Sequence, residues 1–165
     1  MQKKLLKLDE LIKKISNHKS SNKKIGLITG CFDVLHAGHI HFIQQARKQS
    51  DILIIGLEND FNIKRSKGLD RPIHNFDQRS LVLSELKSVT YIFKIEPEFE
   101  QFDERAENYY DSLLQTIKPD YLFSNSETDK HIDQKIKKST SNNLKLILID
   151  RQHDTSSSAI IKKLS

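Results

Sequence analysis

Five short apolar runs, each separated from the next by a longer amphipathic or polar stretch, constrain this chain more than any other feature. Ile25–Thr29, Asp51–Leu57, Val89–Ile95, Asp120–Phe123 and Leu144–Ile149 read as strands. The second carries Ile52-Leu53-Ile54-Ile55 and is near-continuously apolar, as a strand buried on both faces must be. Between the runs, Gly38–Lys48 reads as a helix with Ile40, Ile43 and Ala46 on its apolar face, and Asp77–Leu86 as a helix carrying Leu81, Leu83 and Leu86. Phe102–Ile117 reads as a helix closed by Pro119, Lys130–Lys138 as a polar helix, and Ser157–Leu164 as a last helix. Strands alternating with helices imply parallel strands joined by right-handed crossovers. The expected fold class is α/β, a Rossmann-like three-layer sandwich with a parallel sheet of about five strands.

Ahead of the first strand, Leu5, Leu8, Leu11, Ile12 and Ile15 fall at spacings of three and four, one face of an amphipathic helix over residues 3–16. The helix is expected to pack on the domain as an N-terminal appendage, joined to it by the polar stretch Ser16–Lys24. A chain of 165 residues suffices to bury roughly two-thirds of its unfolded surface around one core. We therefore expect one domain over 1–165, with 1–22 as N-terminal helix and linker and 23–165 as the catalytic core. No internal repeat or long low-complexity tract interrupts it, and only Ser139–Asn143 is loosely biased.

The net charge of +5 raises the question of a nucleic-acid partner. The lysines are scattered as pairs, Lys3-Lys4, Lys13-Lys14, Lys23-Lys24, Lys137-Lys138 and Lys162-Lys163, which read as solvated helix faces. A small polyanionic substrate fits the charge equally well, and the nucleic-acid reading rests on net charge only, with neither an aromatic stacking platform nor a recognition-helix cluster to raise it. The single cysteine, Cys31, excludes an internal disulfide framework and a cysteine-only metal site within one chain. No apolar stretch reaches the length of a signal peptide or a membrane span, and a cytoplasmic location is expected.

The chemistry is concentrated where the first strand gives way to the next helix. Thr29-Gly30 ends the strand and the helix begins near Gly38, which leaves His36 and His39 at the transition. Ligands of open parallel sheets bind at this position. The first N–H groups of a helix have no internal partner and suit phosphate oxygens, and Gly38 lets a phosphate approach the backbone without a Cβ in the way. Two imidazoles three residues apart can face one anion, whereas His41 leaves that face and His18, His74 and His131 have no motif around them. A zinc site of the His-Glu-x-x-His kind needs a spacing of four and an adjacent glutamate, and neither is present. Cys31 beside His36 admits a nucleophile reading, against which stands the small hydrophobe that a thiol at a strand end usually is.

Gly30-Cys31-Phe32-Asp33 followed by His36-Ala37-Gly38-His39 resembles the signature of the cytidylyltransferase-like nucleotidyltransferase superfamily. Further segments are similar to its heptose-1-phosphate adenylyltransferase and glycerol-3-phosphate cytidylyltransferase branch. Asp60–Pro72 resembles that branch's loop after the second strand, Arg79 the arginine that opens the next helix, Asp154–Ile161 the Ser/Thr-rich turn before the final helix, and Leu8-Asp9-Glu10-Leu11 its lead-in helix.

The resemblance implies transfer of a nucleoside monophosphate from ATP, favoured over CTP, to a phosphorylated small molecule, a sugar phosphate or polyol phosphate, with pyrophosphate released. It implies no covalent intermediate, Mg²⁺ as a cofactor carried with the triphosphate, no metal held by protein ligands alone, and a homodimer. Carried over by position, His36, His39 and Lys67 are the catalytic residues; Cys31, Phe32, Asp33, Gly38, Arg79, Ser156, Ser157 and Ser158 bind nucleotide; Arg65, Arg71, Ser124 and Asn125 face the acceptor. Family members usually carry a Gly- and Asp-containing turn after the fourth strand. Here Ser124–Asp129 stands in that place, and Gln152-His153-Asp154 precedes the last helix. The departure keeps a second reading open, a nucleotide-binding or sensor protein that has lost its acceptor site.

Overall fold

The structure, a computed structural model, describes residues 3–100, 103–125, 132–150 and 156–164. Its elements follow the order α1 (Leu8–Ser20), β1 (Ile25–Gly30), α2 (Ala37–Gln49), β2 (Ile52–Glu58), α3 (Asp60–Lys67), α4 (Phe76–Ser84), β3 (Tyr91–Ile95), α5 (Glu104–Ile117), β4 (Tyr121–Asn125), α6 (Ile132–Ser141), β5 (Lys145–Ile149) and α7 (Ser157–Leu164). The five strands form one sheet in the order β3-β2-β1-β4-β5, parallel at every pairing. The chain builds outward from β1 in one direction through β2 and β3, then crosses back to place β4 on the other side. That reversal opens a crevice above the carboxyl ends of β1 and β4.

Alternation along each strand sorts the core into two layers. Ile25 and Leu27 of β1, Ile52 and Ile54 of β2, Tyr91, Phe93 and Ile95 of β3 and Leu122 of β4 face one layer, where Leu11 and Ile15 of α1 and Leu113, Leu114 and Ile117 of α5 meet them. Ile28, Leu53, Ile55, Leu57, Ile92 and Phe123 face the other, against Ile43 and Ala46 of α2 and Leu83 of α4. Every residue of β2 but the last is buried, as its unbroken apolar run requires. The expected three-layer α/β sandwich is the observed one.

Three expectations change. α1 packs on the domain as expected, Leu11 and Ile15 being almost fully buried, but it starts at Leu8, and the extended residues before it bridge to β3, with the Leu6 N–H donating to the Ile92 carbonyl and the Ile92 N–H to that of Lys4. On α4, Leu83 is buried but Leu81 is 64% exposed, so the helix turns a narrower apolar stripe to the sheet than the spacing of leucines suggests. The segment 60–72 is not a loop throughout. Its first eight residues form α3, capped by Asn59, whose side chain accepts from the Asn62 N–H at 2.8 Å, and stopped at Gly68, whose φ of 106° suits glycine. Only Ile63 of α3 is buried, too little periodicity to mark a helix. Among the described residues, no helix is long and apolar enough to cross a membrane.

Close packing of β1 against β4 rests on Gly26, where an added Cβ would sit 2.6 Å from the Phe123 ring and 2.8 Å from Ser50 Oγ. Gly26→Ala is expected to cost about 1–3 kcal/mol of unfolding free energy, the usual range for overpacking, read as a lower urea midpoint at unchanged m-value.

Candidate active site

Where β1 ends, the backbone takes two uncommon turns. Phe32 and Val34 adopt left-handed conformations, with φ of 49° and 52°, at a cost of about 1–2 kcal/mol each for residues with a Cβ. Interactions of the residue between them hold this shape. Asp33 is 1% exposed. Its Oδ2 accepts from Arg71 Nε at 2.7 Å and from the Ile73 N–H at 3.0 Å, and its Oδ1 from the His74 N–H at 3.0 Å. Burial by itself raises the pKa of this carboxyl. The N–H groups of His74 and Ile73 and the Arg71 guanidinium outweigh it and keep the group below the ordinary aspartate value. From the opposite side, Ser157 Oγ makes a short hydrogen bond to the Asp33 carbonyl and lies 3.4 Å from that of Val34. Asp33 thus ties the turn to the loop before α4, and Ser157 ties it to the start of α7.

Arg79 completes the frame. Its side chain is fully buried, and all three nitrogens are engaged: Nε donates to the His74 carbonyl at 3.0 Å, Nη1 to that of Cys31 at 2.6 Å, and Nη2 to the Glu58 carbonyl at 2.8 Å and to Asp60 at 2.7 Å. The guanidinium fork expected to grip a phosphate instead joins β1, β2 and α3, because the carbonyls at the strand ends surround it. Asp33, expected to contact nucleotide, likewise has both carboxylate oxygens turned to the protein.

The turn delivers His36 as the residue capping α2. Its Nδ1 accepts from the Gly38 N–H at 3.1 Å, which leaves the ring proton on Nε2. His39, one turn on, stacks against His36 with ring centroids 3.9 Å apart and an interplanar angle of 30°, and its other side meets Phe32 at 5.3 Å. Burial, then the neighbouring His36 and Lys67, push the His39 pKa down to about 3. At neutral pH His39 is therefore an uncharged imidazole. Burial, reinforced by Glu58, pushes the Cys31 thiol pKa up against the opposing charges of Lys67 and Arg79. A thiol held protonated is a poor nucleophile, in keeping with its small-hydrophobe reading.

These residues open onto a cavity of about 1010 Å³ at the carboxyl edge of the sheet. Of the residues singled out in the sequence, every one but Arg79 lines it: Cys31, Phe32, Asp33, His36, Gly38 and His39 from the turn and α2; Arg65, Lys67 and Arg71 from α3 and the loop after it; Ser124 and Asn125 from β4; Ser156, Ser157 and Ser158 from α7. Their roles differ within it. Ser156 Oγ caps α7 by accepting from the Ala159 N–H at 3.1 Å, Ser157 is the tie just described, and Ser158 is exposed. Ser124 is buried and accepts from Lys135 at 3.3 Å, Asn125 donates to the Ile149 carbonyl at 3.2 Å, and Arg65 pairs with Glu100 at the rim. Residues 126–129 and 152–154, the rest of the two departing turns, lie outside the described residues.

Among the lining residues that the sequence did not single out are Glu58 and Tyr110, outside every motif, and Asn62, which lies within the 60–72 segment but was given no role there. Glu58 had one legible signal, a lone acidic residue closing an otherwise apolar strand. Nothing in sequence brings Tyr110, 52 residues away, to it.

A parallel sheet with a polar crevice at its switch point and a paired-histidine helix start is the ligand-binding arrangement of an open α/β fold, and comparison with known proteins narrows it. The chain is similar in fold to the pantoate-beta-alanine ligase of Francisella tularensis, solved with beta-gamma ATP and beta-alanine, at a TM-score of 0.68 and 19% identity over 98% of this chain and 73% of that one. It is similar also to a lipopolysaccharide core biosynthesis protein of Thermoplasma volcanium, at 0.58 and 21%, over 81% of this chain and 99% of the other. Residues 27–163 match the model of the cytidylyltransferase-like family, and the chain belongs to that family. The bifunctional protein HldE of Pseudomonas fluorescens is 36% identical over 79% of this chain, and that of Pseudomonas putida 32% identical over 97%. The chain spans about a quarter of the length of the former and a third of the latter.

Two outcomes test the site's construction. Asp33→Ala strands Arg71 as a buried, unpaired cation and is expected to cost about 3–5 kcal/mol, measured by chemical denaturation. The lowered His39 pKa predicts that the unfolded chain takes up a proton near pH 6.5 that the folded chain refuses until about pH 3. Stability is then lost as pH falls through that window, by up to about 1.4 kcal/mol per pH unit from this one group. His39→Gln should flatten the thermal midpoint against pH between 6.5 and 4 relative to the unaltered chain.

Proposed function

We propose that the chain is an adenylyltransferase: a phosphate oxygen of a sugar or polyol phosphate attacks the α-phosphorus of ATP, and pyrophosphate leaves. The observation that carries this reading is the stacked pair His36 and His39 at the start of α2, opening on the same cavity as Lys67 and the start of α7. Family membership supports nucleotidyl transfer, and similarity to the HldE proteins, whose branch the motifs resemble, favours ATP over CTP.

The chain's own groups account for the chemistry as follows. The triphosphate lies along the N–H groups that begin α2 and α7, where unpaired donors and the positive ends of two helix dipoles meet it. His36, its proton fixed on Nε2, donates to a phosphate oxygen, and neutral His39 does so from its exposed edge. Both bonds strengthen as charge gathers on the oxygens in the transition state. Lys67, on a flexible stem at the end of α3, neutralises the incoming phosphate and draws it towards the α-phosphorus. Arg71, beside it, faces the acceptor; Arg79 and Asp33 act through the backbone they hold.

Mg²⁺ belongs to this reading as the nucleotide's companion. Both carboxylate oxygens of Asp33 are taken by Arg71 and the Ile73 and His74 N–H groups, and the ion would come with the triphosphate, as the family resemblance implies. When bound with the triphosphate, it would supply charge neutralisation to the phosphate groups. A homodimer accompanies the reading as what the family resemblance implies, and a catalytic core over 23–165 and a cytoplasmic setting are proposed with it from the reading of the sequence.

His36→Ala is expected to lower kcat/KM at least about 100-fold, the effect of removing one transition-state donor, in a pyrophosphate-release assay with ATP, Mg²⁺ and a panel of sugar phosphates. Lys67→Ala should act mainly on the acceptor. Nucleotide binding without turnover on any phosphate would favour the sensor reading instead.

A further inference from the structure

The cavity is divided by charge. His36, His39 and the starts of α2 and α7 make one side receptive to anions; at the other, the end of β2 contributes Glu58, an acidic group set into the wall beside α3, the helix that carries Lys67. Its carboxylate is held from two directions. Oε1 accepts a short hydrogen bond from the Tyr110 hydroxyl on α5, and Oε2 accepts from the Asn62 amide of α3 at 3.1 Å.

Both holders are themselves fixed. The Asn62 amide also reaches the Pro97 carbonyl at 3.0 Å, and its side-chain oxygen accepts from the Phe99 N–H at 2.9 Å. The Tyr110 ring packs against Tyr109 and Phe99, with centroids 5.7 and 6.4 Å away.

A carboxylate oxygen accepts along two lone-pair directions, and one on each oxygen is spent on these partners. The group remains a two-pronged acceptor bordering the cavity. It repels phosphate, and both reactants of a nucleotidyl transfer are polyanions, so phosphate is not what it reads. The partner it fits is a pair of neighbouring hydroxyls, one to each oxygen, with the Phe99 ring lining the same space beside the partner's C–H face.

Two hydroxyl pairs enter such a reaction, the ribose of the nucleotide and the body of the acceptor. Glu58 lies close enough to the Cys31 thiol to raise its pKa, where Lys67 lowers it. Asn62 and Lys67 both belong to α3, so the carboxylate stands on the acceptor side. Resting on the transfer reading above, we propose that Glu58, oriented by Tyr110 and Asn62, selects the acceptor by binding vicinal hydroxyls of its sugar or polyol body.

The test compares glucose 1-phosphate, mannose 1-phosphate and glycerol 3-phosphate with ethyl phosphate, which keeps the phosphate and lacks hydroxyls. Pyrophosphate release is measured with ATP and with 2′,3′-dideoxy-ATP, on the unaltered chain, Glu58→Gln and Tyr110→Phe. The unaltered chain should prefer its best hydroxylated phosphate over ethyl phosphate by at least about tenfold in kcat/KM, mostly through KM. Glu58→Gln should remove that preference, leaving the KM for ATP and the rate with ethyl phosphate within about twofold, and Tyr110→Phe should reduce it in part. An unchanged preference in Glu58→Gln overturns the proposal, as does an equal loss with ethyl phosphate, which marks a structural or ion-binding role. A lost discrimination between ATP and dideoxy-ATP moves Glu58 to the ribose and overturns it too. If Glu58→Gln does not fold, the same ratio is read from Tyr110→Phe. If no phosphate turns over, the transfer reading fails by itself; calorimetric titration of the same phosphates then decides, equal affinity for hydroxylated and ethyl phosphates overturning hydroxyl recognition and a preference lost in the variants supporting it.

Discussion

The buried contact between Asp33 and Arg71 is what the rest of the site depends on. The two side chains are almost wholly removed from water, at 0% and 10% exposed, and an ion pair in that setting is costly unless further hydrogen bonds complete it. The N–H groups of Ile73 and His74 do so. With both oxygens of Asp33 satisfied, the unfavourable left-handed residues on either side, Phe32 and Val34, become the lowest available path for the chain. That path decides where His36 stands and at what angle α2 begins. The energy that orders the site is therefore stored a few residues away from the atoms that would meet a substrate.

A consequence is that motif residues divide into those proposed to meet a substrate and those that hold the former in place. His36, His39 and Lys67 are of the first kind. Asp33, Arg79 and Ser157 are of the second: each joins segments far apart in the chain, Ser157 across 124 residues and Arg79 across 48 to Cys31. Both kinds stand at the same carboxyl edge of the sheet, since a parallel strand ends there with its last carbonyls unpaired, and a buried arginine is the side chain best able to gather several of them.

The strand pattern was legible because β1 to β5 obey one rule, apolar continuity between polar breaks, and the split of their residues between two core layers follows from it. α3 was not. An eight-residue helix with a single buried side chain, Ile63, leaves hardly any periodic trace, and its signals, Asn59 ahead and Gly68 behind, are those of a turn as well. At the site, the pairing of His36 with His39 could be read because it is local. Arg79 could be located but not understood: its charge is visible in the sequence, while the carbonyls of Cys31, Glu58 and His74 that consume it are backbone atoms, which every residue has and no letter marks. Glu58 and Tyr110 escaped for the related reason that only the packing of α5 over β2 brings them together.

The sheet's two margins also differ in kind. At the β3 margin, the Lys4 carbonyl and the Leu6 N–H occupy both backbone groups of Ile92 that would otherwise face outward. At the β5 margin no further strand follows among the described residues, and the strand is short, with the exposed Lys145 at its start. An open strand edge invites pairing with another molecule's edge, and brevity and a lysine are two of the ways proteins discourage it. The few residues ahead of α1 thus serve as a guard against self-association by strand addition, on the side of the sheet where β2 and β3 are most apolar.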